Sequence, residues 1–309
     1  MNIRDYYSSC TLCPRECGAN RYSICGFCKE GAVPTIAWYG LHKGEEYPIS
    51  GKTGSGMFFF KGCSLGCSTC QNSQISINNK TYNNYKTVSV KEMADMMINA
   101  QSKNATSISF VTAEHFAPHV VSAISVAKQK GLHIPTVFNT SGFMKRQMID
   151  MLAPYIDIWL WDTKTLSSNI AKKYFGSELY PQYEEDALSY LCSITGQSDM
   201  ESSFPHGIIV RHLVLPGYIK ESEDVIRNFA GKYKDKCYFS LMYQFIPPKN
   251  AENELKVRIT KKDAEKLEDI LFEEGIENGF IQEIDDNEEI WRPDFTRSNP
   301  FPDGFATKL

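Results

Sequence analysis

The sequence predicts an α/β fold built on a parallel β-sheet. Apolar, β-rich runs alternate with amphipathic stretches, and the connections between them are short. Most of the apolar runs are continuous rather than alternating in polarity, which is typical of strands buried on both faces. The order fits a doubly wound open sheet or a full or partial (β/α) barrel. Both architectures place functional side chains at the carboxyl ends of the strands.

Individual elements follow from the same pattern. Seven apolar runs are predicted as strands: 57–60, 107–112, 134–139, 156–161, 207–215, 237–245 and 279–283. Six amphipathic stretches, several preceded by an N-capping Ser or Thr, are predicted as helices: 90–101, 119–130, 143–153, 184–194, 222–233 and 260–275. The Asn-rich stretch 72–86 is predicted as a loop, and the proline-containing end from residue 290 as an extended tail.

Composition limits the classes of partner. The 309 residues carry a formal net charge of -4, which gives no electrostatic reason to expect a nucleic acid or an anionic membrane. The first ten residues, MNIRDYYSSC, contain no apolar signal region, and no apolar run reaches the length of a bilayer. We therefore expect a cytoplasmic protein.

Ten cysteines are unevenly distributed. Eight fall within the first 70 residues, which in a reducing compartment is typical of metal ligands rather than of disulfides. Cys192 and Cys237 stand apart and are predicted to be small buried apolar residues.

The stretch GCSLGCSTCQN places Cys63, Cys67 and Cys70 directly after the strand 57–60. Structural zinc needs four protein ligands, so it would require a fourth from elsewhere. An iron-sulfur cubane can be held by three thiolates, which leaves one iron open for a ligand that is not protein. Gly62 and Gly66 let the backbone curl closely around such a cluster, because glycine tolerates positive φ.

The C-x3-C-x2-C spacing resembles the cluster motif of the radical S-adenosylmethionine (SAM) superfamily, and FFFKGCSLGCSTCQNSQIS resembles the branch related to pyruvate formate-lyase activating enzymes. Five further segments resemble that branch in order: CTLCPREC (10–17), FNTSGF (138–143), IVRHLVLPG (209–217), SLMYQ (240–244) and ENGFIQE (277–283). The resemblance implies a partial (β/α) barrel over 36–285, after a Cys-rich metal- or cluster-binding segment over 1–35 and before a tail over 286–309.

The resemblance also implies an activity. Cys63, Cys67 and Cys70 would hold a 4Fe-4S cluster that chelates SAM, and the reduced cluster would cleave SAM to a 5′-deoxyadenosyl radical that takes a hydrogen atom from a small molecule or peptide. The electron would come from a donor such as flavodoxin or ferredoxin. One alternative is an activase that installs a glycyl radical on a partner enzyme. Another is a non-catalytic zinc- or cluster-binding scaffold.

Candidate SAM contacts lie at successive strand ends. By resemblance, Thr112 and Glu114 would receive the SAM ammonium, and the turn with Asn139 and Ser141 would bind the ribose or methionine part. Alternatively, Glu114 is an exposed acidic residue at the start of a helix, and Asn139 to Gly142 form a plain β-turn without a ligand. The remaining candidates are Asp162 and Lys164, in a mouth otherwise lined by Trp159 and Trp161, and Arg211, whose guanidinium suits the SAM carboxylate. Thr69 replaces an aromatic residue that many members place against adenine, so Gln71 or the backbone would hold the base.

Three further residues have two interpretations each. His212 points to the face of its strand opposite Arg211 and is either a catalytic residue or a satisfied core histidine. Tyr243 and Gln244 either reach the substrate or belong to the core.

The first 35 residues contain Cys10, Cys13, Cys17, Cys25 and Cys28. By resemblance, all of these except Cys25 would be ligands, and the C-x2-C-P start favours an auxiliary iron-sulfur cluster. Zinc held by two knuckles, Cys10 with Cys13 and Cys25 with Cys28, is the alternative.

Overall fold

The computed structural model describes residues 2–77, 84–247, 251–284 and 292–309. Within these ranges a sheet of ten strands has the order β10-β1-β2-β4-β5-β6-β7-β8-β9, with β3 paired to β1. Strand β2 and strands β4 to β9 are parallel, whereas β1 is antiparallel to β2, β3 and β10. The predicted partial (β/α) barrel with a Cys-rich N-terminal segment is confirmed.

The strands are β1 (Thr35–His42), β2 (Ser55–Phe60), β3 (Lys86–Thr87), β4 (Ile108–Val111), β5 (Thr136–Thr140), β6 (Ile158–Asp162), β7 (Gly207–Leu213), β8 (Tyr238–Met242), β9 (Gly279–Ile281) and β10 (Ala306–Lys308). The helices are α1 (Ile3–Ser8), α2 (Tyr47–Ser50), α3 (Val90–Ser102), α4 (Ala117–Gln129), α5 (Arg146–Leu152), α6 (Ser168–Tyr174), α7 (Tyr180–Ile194), α8 (Ile219–Lys232) and α9 (Lys261–Glu273).

All seven predicted strands and all six predicted helices are present, with ends shifted by a few residues. The sequence prediction missed β1, β3, β10, α1, α2 and α6. The predicted loop 72–86 has turns up to residue 77 and contributes Lys86 to β3, and its residues 78–83 lie outside the described residues. The tail is not simply extended, because β10 pairs with β1, and residues 290 and 291 again lie outside the described part.

Local signals explain where the helices begin. Ser89 caps α3 in a capping box, in which its side chain accepts from Glu92 N and Glu92 accepts from Ser89 N. Thr260 and Asp263 form the same arrangement at α9. Each cap satisfies backbone N–H groups that have no partner within the helix and contributes about 1 kcal/mol.

Two faces of the sheet have separate cores. Large side chains on the outer face, including Trp159 and Trp161, are fully buried in the main core formed with the helices. The prediction that these tryptophans line the mouth is therefore wrong, because the pleat points Leu160 and Asp162 inward instead. On the inner face, Ile49 of α2 packs with apolar strand residues and closes the amino end of the barrel.

The C-terminal segment forms part of the barrel interior. Phe295 and Phe301 pack on Phe59 of β2, and Phe301 also contacts Trp38 of β1 at a ring-centroid distance of 5.0 Å. These aromatic residues are at most 7% exposed and form one apolar cluster. The tail thus serves as a wall on the side of the sheet where β1 and β2 lie.

Candidate active site

A cavity of about 540 Å³ opens on the inner face of the sheet, at the carboxyl ends of the parallel strands. The structure brings most of the candidate site residues together in its lining. These are Cys63, Cys67, Cys70, Thr112, Asn139, Ser141, Asp162, Lys164 and Arg211, together with Thr69, Gln71 and Gln244. Side chains that are up to 181 residues apart in the sequence therefore share one site.

The cysteine loop depends on two glycines. Gly62 has φ 83° and Gly66 has φ 78°, as the sequence predicts. A Cβ atom at Gly62 would lie 2.5 Å from Glu30 Cγ and 2.6 Å from the Cys28 carbonyl oxygen. Only glycine allows both this backbone angle and this close approach to the N-terminal segment.

The donor set of the loop fits a cluster. The residues Cys63, Cys67 and Cys70 are half-buried, and burial raises the pKa of all three thiols. Among the described residues, no three Cys, His, Asp or Glu side chains are placed to ligate one metal ion. A tetrahedral zinc ion requires all its ligands to converge on one point, whereas the three thiolates of a cubane each bind a different iron. Separated thiols around one cavity are thus compatible with a 4Fe-4S cluster.

Glu114 is a buried carboxylate rather than an exposed helix-start acid. It lies in a short 3-10 helix after β4 and is 0% exposed. Its Oε1 accepts hydrogen bonds from Thr140 Oγ1 (2.7 Å) and from Ser141 N (3.2 Å), while Oε2 is buried without a partner among the described residues. Burial raises the pKa of Glu114 despite these bonds. The unpaired oxygen beside the Ser141 turn is suited to a ligand ammonium.

Thr112 and Asn139 are joined directly at the ends of β4 and β5. Thr112 N donates to the Asn139 carbonyl oxygen at 3.0 Å, and Thr112 has φ 55°, in the left-handed region. A non-glycine residue rarely adopts this angle, and such strain is concentrated at functional sites.

Asp162 and Lys164 form an ion pair in the cavity wall. Lys164 Nζ lies 2.6 Å from Asp162 Oδ2, and the two side chains are 21% and 26% exposed. Tyr180 of α7 fixes this turn, because its hydroxyl donates to the Asp162 carbonyl oxygen (2.6 Å) and accepts from Lys164 N (3.1 Å). Burial acts to lower the pKa of Lys164, but Asp162 and the nearby cysteines outweigh it and the pKa is raised. Lys164 therefore remains a cation beside Cys67.

Arg211 lies in the cavity but is paired with protein carboxylates. Its Nε donates to Glu46 Oε1 at 2.8 Å, and its Nη2 contacts both Glu45 Oε2 and Glu46 Oε2. Burial raises the pKa of Glu45, and the neighbouring charge of Glu46 adds to this against the effect of Arg211. For Glu46, Arg211 outweighs burial and the pKa is lowered. The sequence analysis missed this pair of glutamates, since an acidic dipeptide before Tyr-Pro is typical of an exposed turn.

His212 has both ring nitrogens occupied away from the cavity. Nδ1 lies 2.8 Å from the Thr163 carbonyl oxygen and Nε2 lies 2.9 Å from Ser222 Oγ, and the residue is 1% exposed. The structure supports the interpretation of His212 as a core residue. Tyr243 likewise packs in the outer core, with its hydroxyl donating to the carbonyl oxygen of Ala264 on α9.

The N-terminal cysteine segment packs directly on the cluster loop. Cys63 N donates to the Cys28 carbonyl oxygen at 3.4 Å, and Lys61 forms a 2.6 Å ion pair with buried Glu30. Arg15 binds the loop through its carbonyl groups, from Nε to Ser64 (3.0 Å) and from Nη2 to Leu65 (2.8 Å).

Within that segment the cysteines differ in burial. Cys10, Cys13 and Cys28 are buried, whereas Cys17 and Cys25 are exposed. A Cβ atom at Gly26 would lie 3.4 Å from Cys28 Sγ and 3.5 Å from Cys17 Sγ, so these two thiols border the same small space. The identity of an N-terminal metal stays a prediction. Cys192 and Cys237 are buried and in mutual contact, with 3.4 Å between their Sγ atoms, far from the cavity lining.

Comparison with known proteins relates the central part of the chain to a family. Residues 57–185, which include the cysteine loop and the ends of β4, β5 and β6, match the model of the Radical SAM superfamily. This part of the chain is thus similar to the superfamily that the sequence resembles. Radical SAM proteins are in general enzymes that use a 4Fe-4S cluster and SAM, which is the chemistry that the donor set fits.

The relative and the solved structures described next have low sequence identity to this chain. An uncharacterised protein of Methanocaldococcus jannaschii is 26% identical over 272 residues, which cover 85% of this chain and 74% of the relative. The crystal structure of Streptococcus suis SuiB bound to SAM is similar in fold, with a TM-score of 0.52, 12% identity and coverage of 72% of this chain. The chain spans about half of SuiB, since the match covers 48% of that structure.

A domain of pyruvate-formate lyase-activating enzyme from Bacteroides vulgatus matches 54% of this chain and 92% of that domain, with 10% identity and a TM-score of 0.41. At this level the branch within the superfamily stays a prediction. Within the described part of the chain, none of the helices has the length and apolar character that crossing a bilayer requires.

Proposed function

We propose that this chain cleaves SAM reductively at a 4Fe-4S cluster held by Cys63, Cys67 and Cys70, and that it abstracts a hydrogen atom from an organic substrate. When bound, the cluster would supply the electron that breaks SAM into methionine and a 5′-deoxyadenosyl radical. The observation that carries the proposal is the shared cavity, in which the three thiols face polar side chains from the ends of four consecutive parallel strands.

The chain's own residues would bind and orient SAM. Thr112 and the unpaired Oε2 of Glu114 would accept the ammonium group. Asn139 and Ser141 would contact the methionine or ribose part, and Gln71 would lie against adenine. Lys164 acts on the thiols themselves, because its charge lowers the pKa of Cys67 and Cys70 against the effect of burial. A SAM carboxylate at Arg211 would require Glu46 to release the guanidinium.

The N-terminal segment would hold a second metal group through Cys10, Cys13, Cys17 and Cys28. The burial of three of these cysteines and the shared space of Cys17 and Cys28 support this assignment. Iron and zinc analysis of a Cys13→Ala variant, with the Cys63–Cys70 loop intact, separates a second iron-sulfur cluster from zinc. A cluster predicts loss of iron and sulfide, and zinc predicts loss of about one zinc per chain.

The first test is SAM cleavage. Protein purified without oxygen, reconstituted with iron and sulfide and reduced with dithionite should form 5′-deoxyadenosine from SAM. Cys67→Ala should abolish the product, whereas Cys192→Ala, a cysteine outside the cavity, should retain it. If neither wild type nor variant forms the nucleoside and the protein contains zinc but little iron, the scaffold alternative replaces the proposal.

A glycyl radical activase needs a protein loop to enter the cavity. Phe301 and Phe305 of the C-terminal segment border the cavity, which narrows the room for such a loop and favours a small molecule or a peptide. Incubation of the reduced, SAM-loaded protein with a candidate glycyl radical enzyme distinguishes the two. A glycyl radical signal by electron paramagnetic resonance would favour the activase.

A further inference from the structure

The cavity wall contains a cluster of three buried charges, and two of them, Glu45 and Glu46, have no role in the proposed SAM site. Glu45 and Glu46 lie between β1 and α2, and Arg211 lies on β7. Their side chains are only 10%, 7% and 9% exposed. Removing three charges from water costs several kcal/mol for each ion, so their retention in one cavity requires an explanation.

The charges of this group do not balance. With all three groups ionised, Glu45, Glu46 and Arg211 sum to -1. Asp162 and Lys164 pair with each other at 2.6 Å and cancel. Lys43 also borders the cavity but is exposed, so water and salt screen its charge. Within this group of three, one negative charge is therefore in excess when Glu45 is ionised, and a bound cation would neutralise it.

The excess charge is located at Glu45 rather than at Glu46. Both oxygens of Glu46 contact Arg211, and Glu46 also accepts a hydrogen bond from Ser240. Glu45 contacts Arg211 through Oε2, which is one contact against two for Glu46. An acceptor without a partner lies in the same lining, because Gln244 Oε1 is buried and receives no hydrogen bond from the described residues. A carboxylate with a single contact and an acceptor without a donor, both in one lining, call for a ligand that donates.

The glutamates and the cysteines reach the cavity on different connections. Strand β1 ends at His42, three residues before Glu45, whereas the cysteine loop follows Phe60 at the end of β2. Arg211, which the glutamates contact, pairs in register with Asp162, and Asp162 pairs with Lys164 on the side of the cavity where Cys67 lies. A ligand anchored at Glu45 would therefore lie in the same cavity as the thiols.

We propose that Glu45 binds a cationic nitrogen of the substrate, so that the substrate is a small organic amine or guanidine. Arg211 and Glu46 are positioning residues that hold Glu45 in the wall. A carboxylate substrate is disfavoured, because it would have to displace Glu46 from a bidentate contact. The inference rests on the proposed function in that the bound cation is the substrate, but its test does not depend on SAM cleavage.

The test uses four probes of one size on SAM-loaded, unreduced protein: n-butylamine, n-butylguanidine, n-butanol and butyrate. Affinity is measured by ligand-observed NMR and calorimetry, and SAM affinity is measured separately. At least one of the two cations should bind about ten-fold or more tightly than n-butanol, since a charge-assisted hydrogen bond is worth at least that factor. Glu45→Gln should lower this affinity to about that of n-butanol. Glu178→Gln, which removes an exposed carboxylate paired with Lys172, should leave it unchanged.

Three outcomes would overturn the proposal. The first is butyrate binding more tightly than both cations, which the wild type alone can reveal even where Glu45→Gln does not fold. The second is cation affinity that Glu45→Gln leaves intact. The third is loss of SAM affinity in Glu45→Gln by the same factor as that of the cation, which would make Glu45 a SAM ligand. A protein that binds the cation but forms no 5′-deoxyadenosine would contradict the proposed cleavage and retain the cation site.

Discussion

Glu184 links the stability of this protein to pH through the end of strand β6. It lies on α7, is 1% exposed, and its Oε1 accepts hydrogen bonds from Trp161 Nε1 (2.8 Å) and Thr163 Oγ1 (2.6 Å). Burial raises the pKa of Glu184 from 4.5 to about 7, and the two hydrogen bonds only partly oppose it. Because Thr163 borders the cavity beside Asp162, the carboxylate also helps to position this turn.

The direction and size of the pH effect on stability follow from the raised pKa of Glu184. A raised pKa means that the folded state retains its proton while the unfolded state has lost it, so stability falls as the pH rises from about 4.5 through 7. The difference of 7 - 4.5 = 2.5 pKa units corresponds to about 3 kcal/mol at pH 8, most of it absent at pH 5. Glu184→Gln removes the charge but keeps an oxygen acceptor, so we expect it to stabilise the protein by about that amount at pH 8.

The assay is urea denaturation of wild type and variant at pH 5 and pH 8, with the difference in unfolding free energy between the two proteins compared across pH. Asp186→Asn is the matched control on the same helix. A hydrogen bond from Arg146 lowers the pKa of Asp186, so its contribution is lost only at acid pH and stays nearly constant from pH 5 to 8. A Glu184→Gln difference that does not change between these pH values would refute the reasoning.

Two further predictions concern the cysteine loop. Gly62→Ala places a Cβ atom 2.5 Å from Glu30 Cγ at φ 83°, so it should lower the iron content well below that of the wild type by elemental analysis. The control is Gly131→Ala, because Gly131 has a similar φ of 94° but open space around it. If Gly131→Ala lost as much iron as Gly62→Ala, backbone strain alone would explain the effect. Arg15→Gln removes hydrogen bonds to the Ser64 and Leu65 carbonyl groups and should speed iron loss to a chelator about 30-fold, at roughly 1 kcal/mol for each of the two bonds. The surface variant Arg146→Gln should not change that rate, and an equal acceleration in both variants would contradict a specific role of Arg15.

Sequence periodicity predicted the parallel strands because most of them are buried on both faces, which leaves a continuous apolar run. Strand β1 escaped this reasoning because some of the residues that bury it are remote in the sequence. Trp38 is buried by Phe301, which lies 263 positions further along the chain, and β10 is only three residues long. The site residues also divide into those predictable from local sequence and those that depend on remote contacts. Cys63, Cys67 and Cys70 were recognisable from local spacing, whereas Glu45 became a candidate only through its contact with Arg211.

The strand register explains why the polar and apolar parts of the cavity are separate. Asp162, Arg211 and Ser240 are paired across β6, β7 and β8, so the three side chains form one polar layer. One pleat below, Leu160 pairs with Ile209 and belongs to the apolar cluster that closes the barrel. Because side chains alternate with a period of two, this layer is fixed by the backbone of three central strands rather than by loops. Changes in the cysteine loop should therefore act on the cluster, whereas changes in the polar layer should act on what the cavity binds. The two groups of variants above should then be separable. Gly62→Ala should lower the iron content and Arg15→Gln should speed iron loss, while Glu45→Gln should retain iron and alter ligand preference.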